Sequence, residues 1–333
     1  MKIISKTFKM LAVFLLVLGI TNCSDDDDNN DDGVQATTVV DVALENGLTS
    51  LAAALEATDL VTTLQGTGPF TVFAPDNNAF DALLTATGLD LNNLSANEEA
   101  LVRNILLNHV IIGQNLSSTN LVNAGSGYTN TQAVGPNGKN LSLYFNTSNG
   151  VVINGQSTVT TADRTATNGT IHIVNTVIDL PTIATFATSN PALSLLVDAL
   201  AYADTGSPTV PYIDTVSDES AGPFTVFAPT NDAFGAVLAE LNLSGFGEGT
   251  GELNAATTDT VLLYHIVGAN VQSTELNPGT VSTLGGDITA DTSNFTLTDA
   301  NGRISNIVTS LVDIQGINGV VHVIDKVILF PLP

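Results

Sequence analysis

Four histidines are the residues of this sequence best suited to chemistry, and they fall into two pairs. His109 stands in Leu106-Leu107-Asn108-His109-Val110-Ile111, and His265 takes the same place in Leu262-Leu263-Tyr264-His265-Ile266-Val267. His172 ends the run Asn168-Gly169-Thr170-Ile171-His172, and His322 ends Asn318-Gly319-Val320-Val321-His322. An imidazole can serve as base, nucleophile or metal ligand, but each role needs a partner at short range. No second histidine or carboxylate lies within a helical turn of His109 or His265, the spacing that a zinc-binding helix requires. Asp325 follows His322 closely, yet its counterpart after His172 is Asn175, so a duplicated metal site would have lost a ligand. The expectation is that all four rings fasten local backbone by hydrogen bonds, with His172 and His322 assigned structural roles.

Other candidates fare no better. Asp76 could act as an acid or base, but its repeat partner is Thr230, which keeps the power to cap a helix and loses the carboxylate. Asp76 and Thr230 are therefore read as caps. Cys23 is the single cysteine, which excludes an intrachain disulfide and a cysteine-based metal site. No Gly-x-Ser-x-Gly elbow is present, and Gly125-Ser126-Gly127 lies in a polar stretch without a nearby base. The glycine-rich pieces Gly66-Thr67-Gly68 and Gly245-Phe246-Gly247-Glu248-Gly249 lack a phosphate-binding lysine or a dinucleotide fingerprint, and read as turns. The expectation is a protein without catalytic residues, metal or cofactor, and not an enzyme.

The elements that carry these residues occur twice. Pro69-Phe70-Thr71-Val72-Phe73-Ala74-Pro75 returns as Pro223-Phe224-Thr225-Val226-Phe227-Ala228-Pro229, followed in each copy by Asn, Ala and Phe. With the two histidine segments this makes three landmarks in one order, so a domain is duplicated. Each copy opens on a helical pattern, through Leu48, Leu51, Ala52 and Leu55 or Leu193, Leu196, Val197 and Leu200. A short buried strand follows at Phe70 or Phe224, then a helix capped by Asp76 or Thr230, then a helix from Glu98 to His109 or Thr258 to His265. The back half alternates polar and apolar residues at Asn140–Phe145 and Asn294–Thr298, as half-buried strands do. Each copy closes on a hairpin leading into a core strand. No long linker separates the units, so they are expected to touch.

At 333 residues the chain suits two domains. Hydrophobic residues make up 44%, which excludes a disordered chain. Thirty-three acidic residues face eight basic ones, for a net charge of −25, so binding to nucleic acid is not expected. Lys2, Lys6 and Lys9 precede an apolar run from Met10 to Ile20, too short to span a bilayer comfortably and suited to a secretory signal. Cys23 follows, and then Ser24-Asp25-Asp26-Asp27-Asp28-Asn29-Asn30-Asp31-Asp32-Gly33, a self-repelling spacer. This arrangement resembles a bacterial lipoprotein signal of the Bacteroidetes type, with Cys23 as the acylated residue and the acidic tract directing export to the outer face of the outer membrane. The implied division is a signal over 1–22 and an acidic tether over 23–36.

The Thr-Val-Phe-Ala-Pro blocks and the two Asn-Gly-x-x-His segments resemble the fasciclin (FAS1, beta-Ig-h3) family. Tyr264-His265 is similar to that family's Tyr-His pair, and Asn108-His109 stands there in the first copy. The resemblance implies an α+β fold of two tandem domains, over 37–180 and 181–330, each a compact wedge of β-strands packed against several helices. It implies a secreted protein of adhesion, matrix attachment or surface display, with a glycan, matrix or surface protein as partner and the membrane met only through the lipid. Because the Tyr-His region is tied to receptor binding in animal relatives, Tyr264, His265, Asn108 and His109 become candidates for a binding surface. Tyr212, Ile213 and Val216, in an insertion from Pro208 to Gly222 unique to the second copy, join them. The alternatives are an accessory glycan-binding protein of a polysaccharide-utilisation system and, less in keeping with the residues, a hydrolase or metal-dependent enzyme.

Overall fold

The computed structural model describes residues 37–332. Thr38 starts the first copy by capping α1 (Val39–Glu45), and Asp41 returns a bond to the Thr38 N–H. With α2 (Thr49–Ala57) and the single turn α3 (Val61–Leu64), it buries Val39, Val40, Leu51, Leu55 and Leu64 in one cluster. Strand β1 (Phe70–Pro75) is buried along its whole length. Asp76 then caps α4 (Asn77–Thr87) by accepting from the Ala79 N–H at 2.8 Å, and Gly88 ends that helix in the left-handed conformation, φ 71°. Ser95 and Glu98 form a capping box for α5 (Ala96–Leu107), which runs into β2 (Val110–Ile112). After α6 (Ser118–Ala124) come β3 (Ser126–Val134), β4 (Asn140–Asn146), β5 (Val152–Ile153), β6 (Ser157–Ala166) and β7 (Gly169–Val174).

These seven strands form one sheet in the order β2-β1-β7-β6-β5-β4-β3. Next to its β2 edge the first and last strands, β1 and β7, run side by side and parallel, with Phe70 opposite Gly169 and Phe73 opposite His172. A strand covered on both faces reads as a continuous apolar run, which is why Phe70 to Ala74 shows no alternation.

The second copy repeats the plan with α7 (Ile183–Ser189), α8 (Ser194–Asp204), α9 (Tyr212–Ser217), β8 (Phe224–Pro229), α10 (Asn231–Glu240), α11 (Ala255–Leu263) and β9 (Ile266–Val267). The strands β10 (Gly279–Ser282), β11 (Asp287–Asp291), β12 (Thr296–Thr298), β13 (Ile304–Asn306), β14 (Ile314–Gly316) and β15 (Gly319–Ile324) follow. Here β8 and β15 are the parallel pair, with Phe227 opposite His322. The sheet is divided, however, into β14-β15-β8-β9 and β10-β11-β12-β13. Where β6 runs on through two register shifts, its counterpart breaks between β13 and β14. The strand expected over Asn294–Thr298 starts only at Thr296, because Phe295 adopts φ 53° and stands 40% exposed.

The Asn-Gly of the repeated motif has a plain physical reason. A Cβ on Gly169 would sit 2.2 Å from the Phe70 carbonyl oxygen, and one on Gly319 would sit 2.3 Å from that of Phe224, so only glycine lets the parallel strands meet. Asn168 Oδ1 accepts from the Val39 N–H at 2.9 Å, and its amide donates to the Leu64 and Gly66 carbonyls. Asn318 does the same with the Ile183 N–H and the carbonyls of Val216 and Asp218. Thr167 N–H also donates to the Thr37 carbonyl at 2.9 Å, so the entering chain is bonded just before β7 begins.

The two copies share a packed interface. Tyr144 of β4 belongs to the same apolar cluster as Ile183 and Phe186, and Tyr128 meets the Phe186 ring edge-on at 5.8 Å while its hydroxyl accepts from the Asn190 amide. Gln315 N–H donates to Ser142 Oγ at 2.9 Å, and the buried Gln315 side chain bonds Asn270, Gln272 and the Gly316 and Gly319 carbonyls. Lys139 and Glu275 pair across the outer edge at 2.7 Å. Among the described residues no single helix is long and apolar enough to cross a membrane.

Replacing Asn318 by Ala leaves the Ile183 N–H and two carbonyls without partners beneath α7 and α9. Urea unfolding should show a stability loss of about 1–3 kcal/mol, and an unchanged midpoint would refute the bridging role.

Candidate functional site

At the end of α5 the chain turns sharply into β2, and His109 sits at that junction, 2% exposed. Its Nδ1–H donates to the Ile105 carbonyl at 2.7 Å, and Nε2 accepts from the Ile178 N–H at 2.8 Å. His265 repeats both bonds, with Val261 O at 2.8 Å and Ile328 N–H at 3.0 Å. Each ring thus ties a helix C-terminus to the segment that leaves the last strand. Burial pushes both pKa values down to about 4, so both rings are neutral at pH 7.

The second pair lies on the last strands of the two copies, β7 and β15. His172 donates from Nε2 to the Leu116 carbonyl at 2.8 Å, accepts the Asp163 N–H at Nδ1, and stacks on Phe73 at 5.5 Å. His322 does likewise with Val271, Asp313 and Phe227. Burial lowers both pKa values. The sequence reading missed the aspartates in this arrangement. Asp163 and Asp313 both adopt the left-handed backbone, φ 59° and 56°, and each carboxylate is gripped by a serine. Ser118 gives its N–H at 2.8 Å and its hydroxyl to Asp163; Ser273 gives both to Asp313 at 2.6 Å. The signal was available, since each aspartate precedes its histidine by nine residues. All eight ring nitrogens are engaged with backbone, so none can bind a metal or take a proton from a substrate without breaking the fold. Among the described residues no group of three or more His, Cys, Asp or Glu side chains gathers at metal-binding distance.

The candidate binding surface must be corrected. Of its seven residues only Ile213 reaches solvent, at 37% exposure. Asn108, His109, Tyr212, Val216, Tyr264 and His265 are all buried. Tyr212 directs its hydroxyl to Asp259 Oδ1 at 2.7 Å, and burial raises its pKa. Asp204 accepts the first two N–H groups of α9, fixing that amphipathic turn with Tyr212 and Val216 facing inward. The Tyr264 ring fills the space left by Gly285 and Gly286, where a Cβ would come within 2.4 and 2.6 Å of it. In the first copy Asn108 replaces the ring with hydrogen bonds, accepting from Thr131 and donating to the Asp179 carbonyl at 2.9 Å. Asp76 and Thr230 both cap helices, through the N–H of Ala79 and Ala233. Cys23 and the divisions 1–22 and 23–36 lie outside the described residues.

What the surface does offer is a cleft of about 560 Å³ between the copies. Thr129, Asn130 and Gln132 of β3 and Asn140 of β4 form one wall, with the buried Ser142 at its base. Ser310, Val312 and Asp313 form the other. Its chemistry is mixed: amides and hydroxyls stand beside Ile112, Leu116, Leu121 and Phe145, and the one carboxylate, Asp313, is already held by Ser273.

The buried histidines make stability depend on pH. Their folded pKa values of about 4 lie below the ordinary 6.5, so the unfolded chain takes up these protons first. The stabilisation is complete above pH 6.5 and is lost as pH falls towards 4, on the order of 3 kcal/mol per ring. His265→Gln should be less stable at pH 7 and lose less across this window in urea titrations; an unaltered pH dependence would refute the assignment.

The Fasciclin domain family model matches residues 46–181 and 194–330. The chain is 34% identical over 156 residues to Protein sll1483 of Synechocystis sp., covering 45% of this chain and 74% of that protein. It is 27% identical over 281 residues to human Periostin, covering 82% of this chain but only 30% of Periostin. A solved FAS1 domain pair from the insect cell adhesion molecule Fasciclin I aligns over 87% of this chain and 95% of its own, with 17% identity and a TM-score of 0.43. Two matches of the same model, each spanning one of the repeated units, decide the matter: this chain belongs to the fasciclin domain family and carries its domain twice.

Proposed function

We propose that this protein is a lipid-anchored surface protein that works in adhesion, holding a matrix or surface partner outside the cell. The observation that carries the reading is that both copies commit their histidines to their own backbone, while a broad cleft lies open between them. That is the economy of a binding module rather than of a catalyst. Membership of the fasciclin family supports adhesion as the class of function. The basic start, the apolar run, Cys23 and the acidic tract support export and acylation, with the outer membrane as the site of attachment. Two modules on one tether also raise avidity for a repeated partner.

A glycan-binding reading has one specific support, the cleft itself. Its amides and hydroxyls, set among apolar side chains, suit a neutral ligand with both hydroxyls and apolar faces better than a charged one.

Two measurements separate these claims. Cys23→Ser should abolish incorporation of a labelled fatty acid and release the protein from the membrane fraction; continued membrane retention would sink the anchor. On a combined matrix-protein and glycan array, binding to matrix proteins that survives Gln132→Ala and Asn130→Ala supports adhesion through other faces. Binding to neutral glycans that is lost in those variants supports the cleft, and no binding to either class would sink both readings.

A further inference from the structure

The second copy contains a loop that the first does not match. The chain from Phe234 to Asn254 is longer than its counterpart from Phe80 to Ser95, and the extra residues fold on themselves as a flap. Ser244 N–H donates to the Gly251 carbonyl at 2.7 Å, Leu253 N–H to Gly245 at 2.9 Å and Gly247 N–H to Leu253 at 3.1 Å. Gly251 takes φ 82°, a turn that side-chain-bearing residues resist. Two carboxylates fasten the outside: Glu252 accepts from the Gly249 N–H, and Glu248 from the Tyr202 hydroxyl and the Ala255 N–H.

Beneath the flap lies a cavity of about 100 Å³. Phe246 and Leu253 roof it, and Phe246 meets Phe234 edge to face at 5.9 Å. Val237 of α10, Val261 of α11 and Val327 beyond β15 form its floor. Thr257 is the one polar residue of the lining, and Leu332, 41% exposed, stands at the rim. In the first copy the corresponding Leu83, Ile105, Val177 and Leu180 pack with Ala133 and Leu141, and Ile317 of the second copy closes over them.

We propose that this cavity is a binding site for an uncharged hydrocarbon group, a single ring or the end of an acyl chain. Apolar cavities of this size stay dry and take up small hydrocarbons, because water finds no partners in them. The volume is well short of the ~300 Å³ and above that holds a drug-sized molecule, so one ring or chain end enters and the rest of a larger ligand stays outside. Nothing in the lining can pair with a charge, and Glu248 and Glu252 on the flap repel an anionic head group. The flap gives the way in: its bonds close within the loop itself and through two exposed carboxylates, so it can lift without disturbing the sheet. This inference stands apart from the adhesion reading.

Benzene titrated into the purified full chain tests it. Saturable shifts of the Val237, Val261 and Leu253 methyl resonances are expected, with a Tm rise of about 1–2 °C at a few times the dissociation constant. Val237→Phe fills the space and should abolish both effects, with its own fold checked by circular dichroism; should it not fold, Thr257→Leu serves the same purpose. At pH 7, 1-octanol should displace benzene and octanoate should not. Absence of saturable shifts, shifts confined to methyls elsewhere such as Val216, or equal displacement by octanoate would each overturn the proposal.

Discussion

In each copy the first strand of the sheet lies parallel to the last, and everything distinctive about the sequence follows from making that contact possible. Parallel strands cannot be joined by a tight turn, so nearly the whole domain is the connection between them. The glycine before β7 or β15 admits the neighbouring carbonyl. The asparagine before it gathers the first helix and the end of the helical layer onto the same spot. The histidine immediately after Ile171 or Val321 stacks on the phenylalanine of the partner strand and holds the loop that leads to the sheet's far side. The other histidine pins the exit from the last strand to a helix end. Motifs that look like fragments of chemistry are thus fasteners for one non-local pairing.

The sequence disclosed the duplication, the family, the helices and the capping roles of Asp76 and Thr230, because these depend on local patterns that a chain carries openly. It also pointed to the histidines as backbone fasteners. The parallel pairing was not legible, since a buried apolar strand says nothing about which strand lies beside it. Asp163 and Asp313 escaped notice because their importance arises from a left-handed turn and a serine far away in sequence. The proposed binding surface failed for a related reason. An insertion such as Pro208–Gly222 suggests exposure, but Asp204 and Asp259 draw Tyr212 inward, and that capture is visible only in three dimensions.

Comparison of Asn108 with Tyr264 shows how duplicated units diverge where they are joined. The second copy fills the site with a ring set against two glycines. The first copy places there an amide that reaches the carbonyls of the connecting segment, so the residue at its core also steadies the passage into its neighbour. Gln315, Ser142 and the Tyr128–Phe186 contact continue that link, and they make the pair one packed body instead of two beads on a string.

The bond between Thr167 and Thr37 carries a mechanical consequence. The chain enters the first domain beside the start of β7 and leaves it beyond that strand's other end. Tension between those two points therefore runs along β7, and the hydrogen bonds on its flanks are loaded together in shear instead of parting one after another. The Thr37 bond and the docking of α1 share that load with the strand, so the entrance and the exit of the domain are mechanically coupled.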